Sequence, residues 1–194
     1  MSASKAGVKR GRVVVVAGPT AVGKGTVTRR LLERYPDTYL SVSATTRNPR
    51  PGEVDGVHYF FWSPEQFDEA VERGDMLEWA VVHGQNRYGT PRRAVESACA
   101  EGRPVILEID LDGARQVRRT MPDAHFVFLA PPSWDTLVER LVGRGTESPR
   151  EQERRLATAR VEMAAEGEFD VTIVNDDLDE AVDALAREAG LGPA

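Results

Sequence analysis

The sequence predicts an α/β fold in which a parallel β-sheet is flanked by helices on both faces. The first observation is a continuous β-branched run over residues 12–17, typical of a strand buried on both faces of such a sheet. The second is that further strand patterns alternate with helical patterns along the chain. The third is the stretch from about 40 to 90, which breaks this alternation and indicates an inserted mixed α/β subdomain.

Each element of the main sheet follows from a local pattern. A glycine-rich turn after the first strand leads into a predicted helix over 26–35, which has apolar residues at helical spacing and ends before Pro36. Ser133 is a predicted N-cap for a later helix that runs to Val142. The other predicted strands cover 104–110, 125–130 and 171–174, and the other predicted helices run to about Thr120 and over 178–188.

Two segments interrupt this order. The inserted stretch holds short alternating β patterns, a turn at 49–52 and one helix over 64–73, for which Ser63 and Gln66 predict a capping box. Residues 143–155 are rich in Arg, Gly and Glu and predict a mobile lid. The polar residues 1–11 predict a loose tail.

Composition bounds the function. The 194 residues hold 25 Lys and Arg against 31 Asp and Glu, a net charge of −6, which argues against the broad basic face that long nucleic acids require. The single Cys99 cannot form an internal disulfide or a cysteine-based zinc site, and it favours a reducing compartment. The longest apolar run is too short for a bilayer, and the N-terminus lacks a signal-peptide core. We expect a cytoplasmic protein with no membrane partner.

The basic residues are unevenly divided between lysine and arginine. Only three of them are lysines, at positions 5, 9 and 24, and the rest are arginines. Since Lys5 and Lys9 fall in the predicted tail, Lys24 is the one lysine of the predicted folded body.

Residues 18–24 carry the pattern G-x-x-x-x-G-K directly after a buried strand and before a helix, the context of a phosphate-binding P-loop. Glycines let backbone N–H groups turn inward, and the helix N-terminus adds partial positive charge. The alternative is a glycine-rich turn with a solvated lysine. The usual next residue, a Mg²⁺-binding Ser or Thr, is replaced by Gly25, which makes Thr26 the candidate ligand. The predicted ATP-binding residues of this loop are Gly18, Pro19, Thr20, Ala21, Val22, Gly23, Lys24, Gly25 and Thr26.

Asp110 ends the predicted strand 104–110, where a Walker-B-type acid approaches Mg²⁺ directly or through water. Acids at strand ends are common, so this prediction depends on the P-loop beside it.

The segment 41–59 matches S-x-S-x-T-T-R-x-P-R-x-G-E-x-x-G-x-x-Y throughout and resembles the nucleotide-acceptor segment of guanylate kinases. That resemblance extends over about 12–190. It includes the segments 77–80, 88–90, 107–110, 130–133, 143–146 and 174–177. The nucleoside monophosphate kinases, to which guanylate kinases belong, also use the G-K-G-T variant of the loop.

The resemblance implies an acceptor-phosphate site. Arg47 and Arg50, three apart on a proline-held turn, suit bidentate contacts to a phosphate that carries about −1.5 to −2 charges. Tyr59 and Tyr88 would add hydroxyl groups. An Arg-x-x-Arg pair without this context is more often a solvated surface pair.

The resemblance also implies a guanine site. Guanine offers N–H donors at N1 and its 2-amino group and an acceptor at O6. Glu78 would accept from both donors, Glu108 would support the amino side, and Ser43 and Thr90 would face O6. Many relatives have Asp at the position of Glu108. An isolated acid beside Trp79 is otherwise a cap or a solvated group.

For the lid, the resemblance assigns Arg144 and Arg155 to the transferring phosphoryl group, with Arg140 and Arg154 as possible helpers. Spread negative charge in the transition state calls for cations that arrive on closure. Such a run of arginines and glutamates is otherwise a solvated helix face. Asn175, after the fourth strand, is the candidate for contact with the adenine of the donor.

These residues lead to one hypothesis, with alternatives left open. The resemblance implies that the chain transfers phosphoryl from ATP to GMP with Mg²⁺ as cofactor, in purine nucleotide metabolism. The predicted domain spans 12–190, with a core of 12–39 and 91–190, a GMP-binding subdomain of about 40–90 and a C-terminal tail of 191–194. The alternatives are a related kinase acting on AMP, UMP or a sugar phosphate, and a non-catalytic guanylate-kinase-like protein-binding module. The oligomeric state stays open.

Overall fold

The computed structural model describes residues 10–82, 84–142 and 149–192, which form two β-sheets and seven α-helices. In chain order the elements are β1 (Val13–Ala17), α1 (Lys24–Arg34), β2 (Tyr39–Leu40), β3 (Ala44–Thr45), β4 (Phe60–Phe61), α2 (Pro64–Glu72), β5 (Met76–Val82), β6 (Asn86–Pro91), α3 (Arg92–Ala100), β7 (Val105–Glu108), α4 (Leu111–Thr120), β8 (His125–Ala130), α5 (Trp134–Val142), α6 (Pro149–Ala164), β9 (Val171–Val174) and α7 (Leu178–Glu188).

The larger sheet has the order β2-β7-β1-β8-β9, and all of its strand pairs are parallel. The valines of β1 alternate between two apolar layers. Val14 and Val16 pack with α1 and α7, whereas Val13 and Val15 pack with α3 and α4. Because helices cover both faces of the sheet at β1, every position of this strand is apolar. The predicted α/β class is confirmed.

The smaller sheet has the order β4-β3-β6-β5 and is mixed, since β3 pairs parallel with β4 and antiparallel with β6. Helix α2 covers one face and buries Phe67 completely. Its predicted capping box is confirmed. Ser63 Oγ accepts from the Gln66 N–H at 3.2 Å, and Gln66 Oε1 accepts from the Ser63 N–H at 2.9 Å.

Helix α4 packs against the larger sheet and also contacts strand β5 of the smaller sheet. The side-chain amide of Gln116 both accepts from the Trp79 N–H, at 3.1 Å, and donates to the Trp79 carbonyl, at 3.0 Å. One turn further, Thr120 Oγ1 donates to the Leu77 carbonyl at 2.6 Å. The edge strand β5 is therefore held against α4, which brings the residues of β5 close to the end of β7.

Two element boundaries differ from the predicted ones by two residues. Strand β7 ends at Glu108 rather than at residue 110, because Asp110 is the N-cap of α4 and its carboxylate accepts from the Gly113 N–H at 2.7 Å. Helix α1 begins at Lys24 rather than at residue 26, because Gly23 ends the preceding loop in a left-handed conformation with φ of 99°.

The predicted tails and lid are described in part. Gly11 donates its N–H to the Cys99 carbonyl and accepts from Cys99 Sγ, and Leu191 packs against the core beside α7. Part of the predicted lid lies in α6, and residues 143–148 lie outside the described residues. Among the helices of the described part of the chain, none has the length and apolar character needed to cross a bilayer.

Candidate active site

The loop that joins β1 to α1, for which a phosphate site was predicted, turns through residues with positive φ angles. Gly18 and Ala21 have positive φ angles of 150° and 67°. A side chain at position 18 would place its Cβ 2.2 Å from the Leu129 carbonyl oxygen, so glycine is needed for the close approach to β8. The loop places the N-terminus of α1 at the carboxyl edge of the sheet, where the partial positive charge of a helix N-terminus favours a bound anion.

Lys24 folds back over its own loop. Its Nζ donates to the Gly18 carbonyl at 2.6 Å and to the Pro19 carbonyl at 3.3 Å. Burial lowers the pKa of Lys24, while the nearby carboxylates of Glu162, Glu108 and Asp110 act to raise it. The two hydrogen-bond acceptors of the Lys24 ammonium group are thus neutral carbonyls, which attract a cation less strongly than negatively charged phosphate oxygens do.

The side chain of Asn175 is hydrogen-bonded to the loop between β1 and α1. Its side-chain amide is 8% exposed and donates to the Val22 carbonyl at 2.7 Å. A Cβ at Gly23 would lie 2.7 Å from that amide nitrogen. Arg140 also reaches the Asn175 carbonyl, at 3.4 Å. The side chain for which an adenine contact was predicted is thus engaged with the loop, and the adenine contact stays a prediction.

Glu162 of α6 is a site residue that sequence reasoning missed. Its Oε2 accepts from the Thr20 N–H of the phosphate loop at 3.0 Å. Burial raises the pKa of Glu162, with the Thr20 N–H and Lys24 acting in the opposite direction. The sequence holds no signal for this contact, because an acid in a charged helix resembles a solvated residue.

Two of the predicted carboxylates meet across a glycine of α4. A Cβ at Gly113 would lie 3.2 Å from Asp110 Oδ1 and 3.4 Å from Glu78 Oε2. Burial raises the pKa of Glu78, and the Asp110 charge adds to this effect. The structure therefore brings the predicted guanine-binding acid beside the predicted metal-binding acid.

Thr90 holds the buried acid in place. Glu78 and Thr90 are register partners on the antiparallel strands β5 and β6. The fully buried Thr90 hydroxyl donates to Glu78 Oε1 at 2.6 Å, which leaves Oε2 directed to the space beside Gly113. Ser43 immediately precedes β3, and its carbonyl accepts from the Phe60 N–H at 2.9 Å. Glu108, at the end of β7, is exposed and accepts from Thr28 Oγ1 at 2.7 Å.

Arg47 lies in a cluster with the two predicted tyrosines. Its guanidinium donates to both oxygens of Glu53, at 2.8 and 2.9 Å, and to the Tyr88 hydroxyl, at 3.2 Å. It also lies 5.4 Å from the centre of the Tyr59 ring. Arg50 has an exposed side chain on the same turn.

Glu53 is the second site residue that was missed. Besides pairing with Arg47, it accepts from the Arg50 N–H at 2.7 Å and so closes the turn between the two arginines. The Arg47 guanidinium and these hydrogen bonds lower the pKa of Glu53 to about 2. The available signal was the acid at the end of the R-x-x-R-x-G-E pattern, to which no role was assigned.

The remaining predicted residues are less constrained. Thr26 is exposed in the first turn of α1, and Arg155 is half-buried in α6. Arg154 is exposed and lies 3.9 Å from Glu151. Arg144 lies outside the described residues.

The fold and the site together define a class of protein. A lysine-bearing glycine-rich loop follows the central strand of a parallel sheet, and a second sheet carries an arginine cluster and a half-buried carboxylate toward it. This is the architecture of P-loop nucleoside monophosphate kinases.

Comparison with known proteins then gives the family. The guanylate kinase family model matches residues 10–189, and the chain belongs to that family. It is 58% identical over 186 residues to the guanylate kinase of Rhodococcus jostii, covering 95% of this chain and 90% of that protein. It is 59% identical over 179 residues to the guanylate kinase of Streptomyces coelicolor, covering 92% and 88%. The crystal structure of guanylate kinase from Anaplasma phagocytophilum superposes with a TM-score of 0.69 at 31% identity, covering 94% of this chain and 86% of that one.

Proposed function

We propose that the chain transfers the γ-phosphoryl group of ATP to GMP, producing ADP and GDP. The observation that carries this proposal is the Glu78 and Thr90 pair beside Asp110, which sets a half-buried carboxylate suited to the N–H donors of guanine next to the start of α4. The relatives named guanylate kinase, at 58% and 59% identity over most of the chain, support the same activity.

Donor binding is assigned to the loop over 18–26. Its backbone N–H groups and the N-terminus of α1 receive the phosphates of ATP, and Lys24 exchanges its two carbonyl acceptors for phosphate oxygens. Asn175 keeps the loop in shape through Val22 and lies on the donor side.

Acceptor binding is assigned to the smaller sheet. Arg47, Arg50 and the two tyrosine hydroxyls of Tyr59 and Tyr88 bind the GMP phosphate. Glu78 accepts from the N1–H and 2-amino groups of guanine. Adenine would direct its N1 lone pair at this carboxylate, which leaves a buried acceptor unpaired and disfavours AMP. Glu108 supports the amino side, with Ser43 and Thr90 near O6.

Mg²⁺ is the proposed cofactor. Nucleotide-bound Mg²⁺ keeps several waters and takes one or two protein oxygens besides the phosphates. The exposed Asp110 carboxylate and Thr26 hydroxyl are oxygen donors of this kind, and the helix cap occupies only one of the two Asp110 oxygens. When bound, the ion would neutralise charge on the transferred phosphates.

Catalysis then consists of positioning and charge stabilisation. A GMP phosphate is already anionic, so the attack needs no general base. Lys24, Arg47 and the lid arginines Arg144 and Arg155 supply positive charge around the transferring group. Closure of the lid excludes water, which would otherwise hydrolyse ATP.

The proposed partners are the small nucleotides ATP and GMP, in the cytoplasm. The net charge of −6 opposes binding to nucleic acid, and the single cysteine suits a reducing compartment.

A coupled assay of ADP release tests this function, with ATP and each of GMP, dGMP, AMP, CMP and UMP. We expect release with GMP well above the ATP-only background and much less with AMP. Equal rates with AMP and GMP would favour a kinase of another acceptor. A non-catalytic binding module would be favoured if no acceptor caused ADP release and if Lys24→Ala left every measurable activity of the protein unchanged.

A further inference from the structure

Helix α6 contacts the loop between β1 and α1 at two adjacent residues. Glu162 Oε2 accepts from the Thr20 N–H at 3.0 Å, across 142 residues of sequence. Ala21, the next residue of the loop, packs against the apolar cluster that α5 and α6 form around Leu137 and Ala159. The helix that contains part of the predicted lid therefore holds the loop through one polar and one apolar contact.

The apolar contact lies at a strained position of the backbone. Ala21 has a φ of 67°, and among the residues that the structure describes it is the one non-glycine residue with a positive φ. A Cβ makes this conformation unfavourable, so it persists only where the surroundings enforce it. Glu162 fixes the peptide N–H directly before Ala21, and α5 and α6 pack against Ala21 itself. The shape of the loop thus depends on α6 as well as on the loop's own sequence.

The same part of the loop positions Lys24. Its Nζ donates to the carbonyl of Pro19, at 3.3 Å, and Pro19 directly precedes Thr20. Burial lowers the pKa of Lys24, and among the carboxylates that act against this effect Glu162 acts most strongly. The half-buried Glu162 carboxylate therefore acts on both the backbone and the cation of the loop.

We propose that Glu162 is a positioning residue for the phosphoryl donor, which holds the loop over 18–24 in the shape that receives the phosphates of ATP. This inference rests on the proposed function. With Thr20 fixed, the turn at Ala21 is maintained, and the N–H groups that follow it stay available to the donor phosphates. Without the hydrogen bond, the Thr20 N–H loses its partner and the strained turn relaxes, so ATP has to order the loop as it binds.

The test compares two neutral variants, Glu162→Gln and Glu162→Met. Their side chains are similar in length, but only Gln has an oxygen that accepts from the Thr20 N–H. Because both variants remove the negative charge beside Lys24, the difference between them reports the hydrogen bond rather than the charge. Calorimetry measures the binding of ATP with Mg²⁺ and, separately, the binding of GMP. We expect Glu162→Met to bind ATP about three- to ten-fold more weakly than Glu162→Gln, the loss of one hydrogen bond, and the two variants to bind GMP equally.

Glu33→Gln and Glu33→Met are the matched controls. The Glu33 side chain is 54% exposed in the last turn of α1 and pairs with Arg30 at 3.1 Å. We expect these two controls to bind ATP equally. In assays of ADP release, we expect the KM for ATP to separate the two Glu162 variants in the same direction as calorimetry does, with the KM for GMP the same in both.

Equal affinities of the two Glu162 variants for ATP would overturn the positioning role. Tighter binding of ATP by Glu162→Met would overturn it as well, since it would show that the side chain competes with the phosphates for the loop. Equal losses for ATP and GMP in Glu162→Met would indicate a general loss of structure and have the same consequence. Wild type that binds ATP but releases no ADP with GMP would instead overturn the catalytic function, and the ATP affinities would still decide the role of Glu162.

Discussion

At the scale of single residues, the charged groups of the site are held by specific neighbours. Glu78 is fixed by Thr90, Arg47 by Glu53, and Lys24 by two carbonyls of its own loop. Such contacts set the orientation of a group before the substrate arrives, which reduces the ordering required on binding. They also place ionisable groups in environments that shift their pKa values.

Glu78 gives a prediction about stability and pH. Burial raises its pKa above the ordinary value of 4.5, so the folded state disfavours its ionised form. The contribution of Glu78 to stability is therefore fully present below 4.5 and is lost as pH rises through the raised pKa. We expect Glu78→Gln to gain free energy of unfolding relative to wild type between about pH 4 and about pH 7.

Urea unfolding at both pH values measures this difference. Glu69→Gln is the control, since the Glu69 side chain is 66% exposed on α2. The prediction would be contradicted if the free energies of unfolding of wild type and Glu78→Gln changed by the same amount between the two pH values.

At the scale of elements, short connections carry most of the site. The loop before α1 presents the backbone proposed to bind the ATP phosphates, and the turn over 47–53 presents the two arginines proposed to bind the acceptor phosphate. Helix α4 fastens β5 through Gln116 and caps its own start with Asp110. Rigid elements thus position functional loops, which is the usual division of roles in α/β proteins.

The turn over 47–53 gives the second prediction. Glu53 bonds both Arg47 and the Arg50 N–H, so Glu53→Gln removes the charge that holds the turn closed. We expect the KM for GMP to rise about three- to ten-fold with kcat changed less, since the phosphate must then order both arginines.

Steady-state kinetics with GMP as the varied acceptor provide the measurement, and Glu69→Gln, which alters an exposed pair with Arg73, is the control. A KM equal to that of wild type would show that Glu53 does not position the turn. Because the pKa of Glu53 is lowered to about 2, its pairing stabilises the protein above the ordinary value of 4.5 and is lost as pH falls toward 2.

At the scale of the whole molecule, the two sheets have separate apolar layers. In the proposed function the larger sheet carries the donor loop, and the smaller sheet carries the acceptor cluster. The net charge of −6 does not describe either site, because cations gather locally at both. Ligands of the two sites are therefore separable in their effects on stability.

Thermal unfolding with single nucleotides tests this division. GMP at a hundred times its Kd stabilises the folded state by about 2.7 kcal/mol, a shift in Tm of several degrees for a chain of this size. AMP at the same concentration shifts it much less. We expect Lys24→Ala to retain the shift with GMP and to lose most of the shift with ATP. Loss of both shifts in a folded variant would argue against separate sites.

The sequence predicted the main sheet well because its signals are local. The β-branched run of β1 and the glycine pattern before Lys24 each lie within a few residues, and the predicted strand, loop and helix are confirmed. Glu53, which pairs with Arg47 six residues away, is a local contact that was missed, whereas the other missed contacts join distant segments. Glu162 reaches Thr20 across 142 residues, and Glu108 reaches Thr28 across 80. A carboxylate on a charged helix gives the same pattern whether it faces water or a loop.

Lys24, the one lysine among the residues that the structure describes, makes the loop between β1 and α1 chemically addressable. Lys24 is the only lysine beyond Lys9, and burial lowers its pKa, which favours the neutral, nucleophilic amine. Acylation of Lys24 is distinguishable by peptide mass from acylation of Lys5 and Lys9. In the proposed function the triphosphate of ATP engages the same nitrogen, so the extent of acylation at Lys24 would report how much of the protein carries its donor.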